Sequence, residues 1–266
     1  MKKRVLCFLL VFSMVFASIS TTQANASISI SLVPCKSTFK LLRKTVSSST
    51  SKANYTYNKR NFSSCVSSYV FSQDAIGSKL YVGVSKFSEV GCELAACYNA
   101  IYRLTGSKAK GDLPYLIKIA EEKGYTMALA HDAIRIILEI TKKADDYKQY
   151  RTAGAFGTDP FAIPSILNAA VYAKVKTTYS GFSSMDKAVK AAIKSKENHV
   201  YIVSFWNSGV VDDGVHTVCF YTENGHLYDL NNSNRIKTAA RELVSLSQII
   251  GNSSNRFIVG YEIVKR

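Results

Sequence analysis

The chain has 266 residues, 47% of them hydrophobic, with 34 Lys and Arg against 19 Asp and Glu and a formal charge of +15. So large an apolar share buries a full core and excludes a disordered chain. The lysines are scattered and not interleaved with aromatics, which argues against nucleic acid as a partner; the surplus charge reads as a solvated basic surface, with an anionic cell wall as its candidate contact.

The first residues, "MKKRVLCFLLVFSMVFASISTTQANAS", set Lys2, Lys3 and Arg4 before an apolar run that ends in Ala24-Asn25-Ala26. A basic start, a short apolar stretch and an A-x-A site make a secretory signal peptide over 1–26, cleaved near Ala26-Ser27. The run is shorter than the roughly 20 residues of a spanning helix, which disfavours an uncleaved anchor. No later stretch is long and apolar enough to cross a membrane. Residues 27–78 are rich in Ser, Thr and Lys and weakly periodic, which predicts an arm, linker or pro-region holding short β-like runs such as "SSYVFS". A globular domain is expected over 79–266.

Within that domain the apolar spacing of Leu94, Cys97, Ile101 and Leu104 predicts a helix from Cys92 that Gly106 closes. Asp112 as N-cap, Pro114 in the first turn and Gly124 as stop predict a second helix. A third is expected from Thr126 to Lys143, and a fourth near 160–173 after a Gly-rich loop. "KVKTTYS" reads as a strand, "SSMDKAVKAAIKSK" as a helix, and "HVYIVSFW" as a strand. Two strands flank Asn224-Gly225, a strong hairpin signal. A short helix near 240–249 and the strand "RFIVGYEIVKR" end the chain. Helices first, then a mostly antiparallel sheet, give an α+β fold of two lobes with a cleft between them as the natural site.

Cys7 leaves with the leader, so Cys35, Cys65, Cys92, Cys97 and Cys219 remain, an odd number that leaves a free thiol. Cys35 and Cys65 are candidates to pair with each other. No C-x-x-C or H-x-x-x-H spacing occurs, so no metal or other cofactor is expected. Cys92 and Cys97, five apart on a helix, are rotated by about 140 degrees and do not share a face. Cys97 lies on the apolar stripe. Cys92 follows Gly91 at the helix start, where free N–H groups and the positive dipole end favour a thiolate. A buried small apolar residue is the competing reading of Cys92.

A cysteine nucleophile needs a base, and the base an orienting group. Of the four histidines, His131 lies in a helical pattern, His199 starts a strand, His226 sits at a turn end, and His216 opens one arm of the hairpin. A two-residue turn pairs Glu223 with His226, Phe220 with Asp229 and Val218 with Asn231. Asn231 is then the diagonal neighbour of His216 on the same face, roughly 7–8 Å away. A three-residue turn would bring Asn232 there instead, and Asp229 lies one pair further down. Cys219, Tyr221, Tyr228 and Leu230 form the opposite, core-facing side.

"GCELAACYNAIYRLTG" and "GVHTVCFYTENGHLYDLNN" resemble the two catalytic elements of papain-like cysteine peptidases, in particular bacterial domains similar to double-glycine leader peptidases; "GTDPFAIPSIL" is similar to the Gly-rich segment that often separates them. The resemblance spans roughly residues 80 to 235. It implies a papain-like fold, with the Cys helix in an N-terminal helical lobe and the sheet in a C-terminal lobe. It also implies Cys92 as nucleophile, His216 as base and acid, and Asn231 as the group holding the imidazole, with Asp229 and Asn232 as second choices. The family places a Gln about six residues before the Cys; "VGVSKFSEVGC" has none, so Ser85, Lys86, Ser88 and the Cys92 backbone N–H are the candidate oxyanion donors. Gln73 is the only glutamine nearby upstream. A missing donor typically costs about 2.7–4 kcal/mol in the transition state. The expected activity is a secreted cysteine hydrolase of an amide, in a peptide or protein. The alternatives are an acyltransferase or amidase acting on cell-wall or small amides with the same residues, and a decayed papain-like binding protein.

Overall fold

The structure, a computed structural model, describes residues 36, 39–40, 43, 45–66, 68–127, 157–206, 215–231, 239–251 and 256–266. The leader, Cys35, His131 and Asn232 lie outside the described residues. Residues 37–266 form one compact unit.

The stretch expected to be an arm holds a helix, α1, Ser48–Cys65, started by Ser47, whose hydroxyl accepts from the Thr50 N–H at 3.3 Å. Its weak periodicity has a physical cause: much of its inward face is polar and binds backbone. Asn58 clamps Tyr81 from both sides, accepting from its N–H at 2.9 Å and donating to its carbonyl at 2.8 Å. Asn54 donates to Gly83 O at 2.8 Å and to the Glu121 carboxylate at 2.7 Å. Phe62 then enters the main apolar core beside Tyr98, edge to face. The "SSYVFS" run is not a strand. A minimal hairpin follows, β1 Tyr81–Val82 and β2 Ser85–Lys86, then one turn of helix, α2, Phe87–Val90.

α3, Cys92–Thr105, ends on Gly106 at φ +66, and α4, Leu113–Glu122, starts on Asp112, which accepts from the Tyr115 N–H at 2.8 Å. The helix expected from Thr126 opens instead on an extended pair: Thr126 bridges Thr158 and Met127 bridges Arg43. The rest of it lies outside the described residues. α5, Ile163–Ala170, leads into β3, Ala173–Tyr179. Next come α6, Phe182–Ser195; β4, His199–Trp206; β5, Val215–Glu223; β6, His226–Leu230; β7, Arg241–Leu243; α7, Leu246–Ile249; and β8, Phe257–Lys265.

The six-stranded sheet runs β3-β8-β4-β5-β6-β7, every neighbour antiparallel. Asn224 and Gly225, at φ +53 and +86, form the two-residue turn, and the register Glu223 with His226, Phe220 with Asp229 is the expected one. The fold is thus α+β, a helical N-terminal part followed by an antiparallel sheet. Strand alternation divides the apolar residues between two cores. Cys219, Tyr221, Ile202 and Tyr261 face α3 and the other N-terminal helices, with Cys97 and Ile101 against them. Val218, Phe220, Tyr201 and Phe205 face Met185 and Val189 of α6 and Leu246 of α7. No helix among the described residues is long and apolar enough to cross a membrane.

Candidate active site

Gly91 closes α2, its N–H donating to Phe87 O at 2.9 Å, and its own carbonyl starts α3 by accepting from Ala95 at 2.8 Å. A Cβ here would strike the Phe87 ring and stand 2.6 Å from its carbonyl. The close approach that glycine permits is therefore to the preceding helical turn. This joint turns Cys92 inward, where it is 5% exposed. Its Sγ donates to the carbonyl of Val215 at 3.6 Å, the residue just before His216.

Beside it stands a group the sequence reading passed over. Glu93 is 1% exposed. Thr217 donates to one carboxylate oxygen at 3.3 Å and the Thr158 N–H to the other at 3.5 Å. Ser204 is hydrogen-bonded in turn to the Thr217 hydroxyl at 2.9 Å. Burial pushes the Glu93 carboxyl up to about 7, against its hydrogen bonds. Burial also pushes the Cys92 thiol well up, and the Glu93 carboxylate pushes it the same way; backbone hydrogen bonds from Thr217 and Glu93 pull back less. The thiolate expected from the helix dipole does not prevail, because desolvation and a like charge at contact outweigh a half-charge at a helix end. The signal was a carboxylate inside the otherwise apolar run "GCELAAC".

His216 lies on β5 opposite Phe205, its ring edge-on to that phenyl with centroids 5.7 Å apart. Its Nε2 is 2.9 Å from the backbone carbonyl of Asn231. A carbonyl only accepts, so Nε2 carries the proton and the lone pair of the neutral ring falls on Nδ1. Burial lowers the imidazole pKa; the Asn231 carbonyl and the charges of Asp74 and Asp229 oppose it without reversing the sign. Asn231 is at φ +66, outside the regular strand. Its side chain is engaged by Gln73, whose N–H donates to Oδ1 at 2.6 Å and whose Oε1 accepts from Nδ2 at 3.1 Å. The orienting contact is thus the carbonyl of Asn231, not its amide. Asp229 is paired with Arg241 through two bonds of 2.7 and 3.3 Å, so it meets the ring only as a distant charge.

Cys92 and His216 are brought to the same end of β5 but are not hydrogen-bonded to each other. Alternation sends Val215 and Thr217 toward α3 and His216 toward Phe205, on the other face. Of the candidate oxyanion donors, Ser85 lies in β2 opposite Val82, and Lys86 is exposed with Nζ 3.8 Å from Glu89. Ser88 takes part through its carbonyl, which accepts from Gln73 Nε2 at 2.8 Å. Gln73, far outside the expected spacing, thereby ties Asn231 to the turn before Cys92. Local sequence offers it only as the nearest upstream glutamine; the contact itself closes across the fold. His226 is exposed and bound to Glu242 at 2.6 Å, and His199 lies between Glu197 and Glu262, both at 2.9 Å. Cys65 is a free thiol, donating to Phe62 O. No cluster of His, Cys, Asp and Glu among the described residues is arranged to hold a metal.

No family model matches the chain, and no curated protein matches it. A solved structure similar to it is that of the Pseudomonas avirulence protein AvrPphB, at 7% identity and a TM-score of 0.29, covering 85% of this chain and 98% of that one.

Proposed function

We propose that the protein is an exported papain-like cysteine hydrolase that cleaves an amide bond, in a peptide or protein, with Cys92 as nucleophile and His216 as acid and base. What supports the reading above all is one juxtaposition. The thiol at the start of α3 touches the carbonyl of Val215, and the next residue carries an imidazole whose proton is fixed on Nε2 by Asn231. In the reaction the Cys92 proton passes to His216 Nδ1 and sulfur attacks the carbonyl carbon. The imidazolium then gives its proton to the leaving amine, and water hydrolyses the thioester. Because His216 faces away from α3, this requires the start of β5 to rearrange so that the ring reaches Sγ. The backbone N–H groups at the start of α3 are the oxyanion donors, with Ser88 and Gln73 positioning that turn. Export is the reading of residues 1–26, and the basic surface suits an anionic wall.

The test is to incubate the mature protein, Cys92→Ala and His216→Ala with a mixed peptide library and to read new termini by mass spectrometry. Cleavage by the unmutated chain alone is expected; equal cleavage by the Cys92→Ala chain would rule the reading out. A binding protein on the same scaffold is the second reading, favoured by the raised thiol pKa and the separated ring. It predicts no cleavage by any of the three chains.

A further inference from the structure

Resting on the reading of Cys92 as nucleophile, we propose that Glu93 governs its ionisation: the charged carboxylate holds Cys92 as a thiol, and neutralising Glu93 releases the thiolate. The two side chains are sequence neighbours in the first turn of α3 and both buried, and they meet the same face of β5 two residues apart, Sγ at the carbonyl of Val215 and Oε1 at the hydroxyl of Thr217. Among the described residues the hydrogen bonds to the Glu93 carboxylate come from neutral donors, the Thr217 hydroxyl and the Thr158 N–H. Among the described residues no cation is ion-paired with it. A second negative charge on sulfur would thus be created close to the first inside a buried site, which raises its cost.

The site is built to enclose this carboxylate. Gly157, at φ +80, brings its own backbone close over it; a Cβ there would stand 3.3 Å from Glu93 Oε2 and 3.0 Å from Val90 O. Ser204 on β4 supports Thr217 from behind. Among the described residues, the ionisable groups on the surrounding elements include Cys97 of α3, Cys219 of β5, Tyr261 of β8 and Asp159, and the cation of α3, Arg103, is paired with Glu223. Cys97 is itself pushed well up by burial and by Glu93. Asp159 is bound to Arg43 at 2.5 Å, and Tyr261 donates to Pro160 O at 3.1 Å. His216, on the other face of β5, does not neutralise Glu93. The resting pair is therefore a thiol and a carboxylate, and until His216 takes the proton its thiolate form at neutral pH is the tautomer, with the proton moved from sulfur to Glu93.

That tautomer has the same proton count as the resting pair, so its share stops rising with pH once Glu93 has ionised. Iodoacetamide alkylation of Cys92, read by peptide mapping in the full chain, should climb with pH and then level off above about 7. In Glu93→Gln, which keeps the acceptor for Thr217 and Thr158, the rate should keep climbing, about tenfold per pH unit, and exceed the unmutated chain at least about tenfold near pH 9. An unbroken climb in the unmutated chain, or a Glu93→Gln rate equal to or below it, would overturn the proposal. The first result needs no variant to fold. Faster labelling in Glu93→Gln with no peptide cleavage by the unmutated chain would keep the role of Glu93 and refute the hydrolase. Cleavage with unchanged labelling would do the reverse.

Discussion

At Asn231 the backbone does the work assigned to the side chain. The carbonyl fixes the imidazole proton, and the amide holds the residue at φ +66 by gripping Gln73. Asn tolerates that conformation, Gly adopts it freely, and Ala is strained in it by roughly 1–2 kcal/mol. Asn231→Ala should therefore lower kcat/KM by about tenfold or more, and Asn231→Gly should recover part of that loss, because it restores the carbonyl without the amide. Equal losses would return the role to the side chain. Glu93 makes a separate prediction for stability. Burial raises its folded pKa from 4.5 to about 7, so the folded chain holds this proton more tightly than the unfolded one. That contribution is fully present below pH 4.5 and is lost as pH rises through 7, a swing on the order of 3 kcal/mol. Denaturant unfolding across this range should show the decline, and Glu93→Gln should remove it. The sequence named Cys92, His216 and Asn231 because helix start, strand start and hairpin register are local signals. It offered Glu93 only as a carboxylate in an apolar run and Gln73 only as the nearest upstream glutamine, since the environments of both are set by Thr158, Thr217 and Asn231 from distant segments.

Among the elements, the joint between α2 and α3 and the β5–β6 hairpin locate the site. The start of α3 after Gly91 and the Asn224-Gly225 turn were legible, the first from the onset of helical spacing and the second from a dipeptide that suits positive φ; α2 was not. The joint depends on the missing Cβ, so Gly91→Ala should overpack against Phe87 and destabilise the fold by about 1–3 kcal/mol, measured by thermal or denaturant unfolding. A neutral Gly91→Ala would mean that the joint does not hold Cys92 in place. α1 was not legible, because its inner face uses Asn54 and Asn58 as backbone clamps where a hydrophobic pattern was sought. β7 lies where a short helix near 240–249 is expected, and only Leu246–Ile249 of that span is helical: at three residues the strand is too short for alternation to register, and pairing with β6 alone defines it.

For the molecule as a whole, the boundary drawn near residue 78 divides what the structure joins. Phe62, Val66, Val70 and Ile76 share the core of Leu94, Ile101 and Tyr261. A chain beginning at residue 79 should lose cooperative unfolding and near-ultraviolet dichroism; if it keeps both, the N-terminal segment is a detachable covering and not part of the core. The central claim concerns chemistry at Cys92, and a thiol-directed peptidyl epoxide tests it most directly, with adducts mapped by mass spectrometry at neutral pH. The hydrolase reading predicts fast, single-site modification of Cys92 that is lost in His216→Ala. Slow labelling of Cys92 and Cys97 at equal rates, unaffected by His216→Ala, would contradict it.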